Sequence, residues 1–120
     1  MHDYRAVLRR LALKDDRFIA SLLAEERACL ELSGLDAQSH AFVRLGALVA
    51  MDAPPAAFMG ATDAALAAGA TNEEIVGTLI ALLPVVGVTR VVAAAPNLGL
   101  ALGYDVGEAL EQLDNGELRG

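Results

Sequence analysis

The sequence predicts an all-α protein: one helical domain of six to seven helices. Three observations carry this. Apolar residues make up 55% of the 120-residue chain, and aromatics only 4%. Apolar positions recur three and four residues apart, whereas the alternation of a half-buried strand is missing. Helix stop and start signals also punctuate the chain at regular intervals. The abundant alanine lets helices approach closely, and 120 residues suit one domain.

Each element follows from local signals. Val7, Leu8 and Leu11 form the apolar stripe of a first helix over 3–13, with Arg5, Arg9 and Arg10 solvated. A second helix is expected over 15–32, capped by Asp15 or Asp16 and stopped by Gly34. Its Phe18, Ile19, Leu22, Leu23 and Leu30 are expected inside. A third starts at Asp36 and carries Phe42, Val43, Leu45, Leu48 and Val49. Pro54 and Pro55 suit the first turn of a fourth, which ends near Gly69. Thr71 and Glu74 have the spacing of a capping box and open a fifth helix over 72–86. Glu73 and Glu74 suit the positive end of its dipole. From Ile75 to Leu83 this helix is almost wholly apolar, so burial on all sides is expected. Gly87 breaks the pattern before a sixth helix over 89–102. A short seventh runs from Val106 to Leu113, and residues 115–120 are expected to fray.

Charge divides the chain into three stretches. Residues 1–34 are amphipathic, with six basic and six acidic side chains. Residues 35–104 form an apolar core with few charges. Residues 105–120 are an acidic helix and tail.

The net charge of −7 argues against nucleic-acid binding, which needs a basic face to neutralise phosphates. It fits a soluble cytoplasmic protein, and no signal peptide is apparent after Met1. The run from Ile75 to Val88 is too short for a membrane span, and Pro84 interrupts it. Cys29 is the only cysteine, so no disulfide or paired-thiol motif forms within the chain. The two histidines and Cys29 have no metal-ligand spacing. No phosphate loop, flavin or nicotinamide fingerprint is present, so no cofactor is expected. So many apolar helices in so short a chain point to self-association.

Three segments together resemble the carboxymuconolactone decarboxylase-like family, which includes the alkylhydroperoxidase D-like proteins. They are Leu35-Asp36 opening a helix, the stretch Ala64 to Leu79 with its Ala-Gly-Ala-Thr-Asn-Glu-Glu-Ile turn, and Gly87-Val88-Thr89-Arg90 before the last long helix. The likeness covers Leu35 to Leu102. It implies an alkylhydroperoxidase D-like all-α fold and a homo-trimer, or a homo-hexamer built from trimers.

The resemblance also implies a Cys-x-x-Cys-x-x-x-His motif just before this turn in peroxidase members. Counting back from Ala64, those positions hold Pro54, Ala57 and Ala61; with one residue inserted, Ala53, Ala56 and Gly60. The supporting glutamate falls at Ala41 or Phe42, and the histidine of the decarboxylase branch is missing too. Dithiol peroxide chemistry needs one thiol to attack and one to resolve, and this chain lacks the pair.

Other residues could carry chemistry. Asp36, His40 and Arg44 recur at four-residue intervals on one helix. His40 could act as acid or base, with Arg44 clamping a carboxylate. A solvated or interface stripe with paired charges is the plainer reading, with Arg44 meeting Asp52 or Asp63 of a neighbour. Arg90, at a helix start, could hold an anionic substrate; a surface pair with Glu73, Glu74 or the acidic tail is the plainer reading. Asn97 follows Pro96 and either lines a pocket or satisfies backbone groups that the proline frees. Cys29 on an apolar face is read as a small buried hydrophobe. Met51 and Met59 flank the emptied site and could line a small apolar pocket.

The function expected from these residues is a non-redox oligomeric protein that binds a small organic molecule or serves assembly. The alternatives are a decarboxylase or lyase acting on a small carboxylate or lactone through His40, and a thiol peroxidase dependent on Cys29.

Overall fold

The computed structural model describes residues 3–114 and contains α-helices joined by short turns, with no strand among the described residues. The helices are α1 Tyr4–Ala12, α2 Asp16–Ala24, α3 Glu26–Ser33, α4 Ala37–Ala50, α5 Pro55–Ala67, α6 Asn72–Val86, α7 Val88–Ala101 and α8 Val106–Asp114. Two compact units divide inside α4, between His40 and Ala41. The tail 115–120 lies outside the described residues.

The first unit departs from expectation. In place of one helix over 15–32 there are two, because Glu25 is extended at φ −141° and ψ 130°. The break folds α3 back to pack on α2. Asp15 caps α2, its carboxylate accepting the Phe18 N–H at 3.1 Å. Gly34 ends α3 in the left-handed conformation at φ 70°, the role its sequence position predicted. None of the residues of α1, α2 or α3 is fully buried. Phe18, Ile19, Leu22 and Leu30 are half-buried and Leu23 is exposed, so this unit holds no core of the kind expected. Three short helices have too little facing area to enclose any side chain.

The second unit holds the core. Leu45 and Val49 of α4, Phe58 and Ala65 of α5, Ile75 and Leu79 of α6, and Ala94 and Leu98 of α7 are buried together. α7 packs against both α5 and α6, and α8 leans on α7. Alanines at three of the helical core positions, Ala41, Ala65 and Ala94, keep these helices close. Gly99 does the same for the α7–α8 joint. A Cβ there would come within 2.8 Å of the Tyr104 carbonyl oxygen and 2.9 Å of Val106 Cγ2.

The Gly69–Thr71 turn forms as its sequence dictates. Gly69 takes φ 93°. The Thr71 hydroxyl accepts the Glu74 N–H at 3.1 Å, and the Glu74 carboxylate accepts the Thr71 N–H at 2.9 Å. Gly87, at φ 92°, is the single residue between α6 and α7. Pro84 sits inside α6 and Pro96 inside α7, so neither proline ends its helix.

One expectation about α6 is overturned. Within the chain it is not enclosed on all sides. Ile75 and Leu79 are buried, but Val76, Ile80, Leu83 and Val85 are exposed. One stripe of the helix faces the core, and a second apolar stripe is left at the surface.

Candidate functional site

The α5–α6 region is where the resemblance places its chemistry. α5 begins with Pro55 at its first turn and presents Phe58, Thr62 and Ala65 to the core. Ala57 and Ala61 each precede one of these buried side chains and are themselves half-buried. Both carry methyl groups, at two of the positions that one register of the resemblance assigns to a thiol and an imidazole. Met51 and Met59 lie largely at the surface, at 74% and 48% exposure, so neither lines an enclosed pocket of the chain.

Thr62 is the polar residue that the sequence reading missed. It is fully buried, and its hydroxyl oxygen has no hydrogen-bond partner. A buried hydroxyl left unpaired costs about 1–3 kcal/mol. The signal was present in the sequence, as one hydroxyl at the spacing of the buried face of α5.

The α4 residues are arranged for helix capping. The Asp36 carboxylate accepts the Ser39 N–H at 2.7 Å, and the His40 N–H donates to the Asp36 carbonyl oxygen at 3.0 Å. The hydrogen bonds from Ser39, backbone first and side chain second, hold the Asp36 carboxyl below its ordinary pKa. The carboxylate is thus engaged at the helix start. His40 and Arg44 follow at one-turn intervals on α4, and both are half-buried.

Arg90 has a partner that the sequence did not suggest. Its Nη1 lies 3.3 Å from Asp52 Oδ2, and both side chains are about half exposed. The expected partners were Glu73, Glu74 or the acidic tail. Asp52 lies in the turn after α4, in the left-handed region at φ 54°. Asn97 is half-buried in α7, one residue before buried Leu98. Cys29 is half-buried on α3.

Among the described residues, no three His, Cys, Asp or Glu side chains are grouped to hold a metal ion. Among them, too, no helix is long and apolar enough to cross a membrane. A half-open cleft of about 470 Å³ lies in the first unit, lined by Tyr4, Val7, Leu8, Glu31, Leu32, Ser33 and Gly34. It contains none of the residues to which the sequence assigned chemistry.

No protein-family model, curated protein or solved structure matches the chain.

Proposed function

We propose that the chain is a non-redox, homo-oligomeric protein of the carboxymuconolactone decarboxylase-like kind, built as a trimer or as a hexamer made of two trimers. Its role is assembly or the binding of a small apolar or acidic organic molecule, without nucleic acid or membrane. Its acidic charge and single cysteine fit a reducing compartment such as the cytoplasm.

The observation that carries this reading is the second apolar stripe of α6. Val76, Ile80 and Leu83 are 43%, 72% and 40% exposed, at the 4-3 spacing of a helix-pairing seam. No charged side chain interrupts the helix between Ile75 and Val86. A surface of this kind is covered by a partner, and closed symmetric copies are the ordinary way to cover it. The half-buried alanines at 57 and 61 support the non-redox part.

Light scattering on the purified chain tests the reading. The wild type is expected to elute as a trimer or hexamer, and Ile80→Glu as a smaller species with unchanged helix content. An Ile80→Glu variant that assembles like the wild type counts against α6 as the seam.

A further inference from the structure

We propose that α1 of one copy docks on α8 of a second copy, forming a clasp between two short helices of opposite charge; this rests on the self-association proposed above. Both helices have nine residues. Their apolar residues follow the same spacing. Tyr4, Val7, Leu8 and Leu11 line one side of α1, and Val106, Ala109, Leu110 and Leu113 line one side of α8. Each set falls at i, i+3, i+4 and i+7, a single stripe.

The charges flanking the two stripes are opposite. α1 carries Arg5, Arg9 and Arg10 and no acid. α8 carries Glu108, Glu111 and Asp114 and no base. Neither helix buries a residue fully; Val106, Ala109 and Leu113 are half-buried, with Val106 against α7, whereas Leu8, Leu11 and Leu110 stay 59%, 46% and 55% exposed. Between α1 and the end of α3 lies the cleft of about 470 Å³, with Tyr4, Val7, Leu8 and Leu32 as its apolar lining. The cleft is wide enough to take an apolar side chain, and Leu110 is the exposed one on α8. Complementary charge selects the partner and its register, while the apolar side chains supply most of the affinity.

Exchange of charge between α1 and α8 tests this directly. One variant carries Arg5→Glu with Arg9→Glu, leaving Arg10 stacked over the Phe18 ring. The other carries Glu108→Arg with Glu111→Arg. Circular dichroism checks that both remain helical. In sedimentation velocity, each variant alone is expected to associate at least tenfold more weakly than the wild type. A chain carrying all four changes is expected to recover wild-type association, because every copy then presents an acidic α1 to a basic α8. Variants that sediment as the wild type does would remove the clasp while leaving the self-association reading intact. Weakened variants whose fourfold combination fails to recover would also overturn it, because the arginines and acids would then act in separate contacts. A monomeric wild type would overturn both readings. Binding of the wild type to phosphatidylserine vesicles, lost in Arg5→Glu/Arg9→Glu, would assign α1 to an anionic lipid surface and overturn the clasp.

Discussion

Arg90 and Asp52 join the first turn of α7 to the turn that ends α4, with Nη1 and Oδ2 3.3 Å apart. The pair is about half exposed, so water and salt screen it. Arg90→Ala is expected to cost less than about 1 kcal/mol in chemical denaturation. The backbone at Asp52 matters more. At φ 54°, a β-branched residue is strained, and Asp52→Val is expected to cost more than about 1 kcal/mol. Asp52→Gly, which removes that strain and the ion pair together, should lie close to the wild type. An Arg90→Ala loss larger than that of Asp52→Val would show that the ion pair, not the turn, holds this corner.

The orphan hydroxyl of Thr62 makes a sharp prediction about the core. Thr62→Val replaces an unpaired polar group with a methyl of similar size. Thermal denaturation should show a variant at least as stable as the wild type, with a gain of up to about 1–3 kcal/mol. A loss of more than 1 kcal/mol would mean that the hydroxyl has a partner, such as a bound molecule on the face of α5.

Asp36 links the start of α4 to pH. Its carboxyl is held below the ordinary value by the Ser39 hydrogen bonds, so the folded state favours the ionised form. The stability it contributes is therefore fully present above about pH 4 and is lost as pH falls through the lowered folded value. Asp36→Ala should lower the melting temperature at neutral pH, and the gap from the wild type should narrow in acid. Asp36→Asn, which can still accept from Ser39, should retain part of the capping contribution at both pH values. A gap that is constant from neutral pH to pH 3 would contradict this account.

Peroxide consumption tests the redox reading. Resolution within one chain needs a second thiol, and Cys29 is the chain's only one, half-buried on α3. The wild type and Cys29→Ala are expected to consume hydrogen peroxide equally slowly with a dithiol reductant. Turnover that the alanine variant loses would restore a thiol mechanism.

Much of the second unit was legible because its signals are local. The Thr71–Glu74 capping box, the left-handed Gly69 and Pro55 at a first turn each act within three or four residues. The break at Glu25 was not legible. Ala24, Glu25, Glu26 and Arg27 all favour helix, and Glu25 makes no side-chain cap bond to mark the boundary. There the packing of α3 on α2 overrides local preference. The exposure of α6 was misread for a related reason. Apolar composition shows that a face is to be covered, but not whether the chain or another copy covers it. The partner of Arg90 was hidden because Asp52 lies far from it in sequence, and the two meet only through the packing of the fold. At the candidate site, the absence of thiols and histidine was plain from residue counting. Thr62 required burial to reveal it.

The central claim is self-association through an uncovered apolar seam on α6. Sedimentation equilibrium of the wild type over a broad range of concentrations tests it most directly. The account predicts a mass of three or six chains that falls when Ile80 becomes glutamate. A wild-type chain that stays monomeric throughout that range would contradict it.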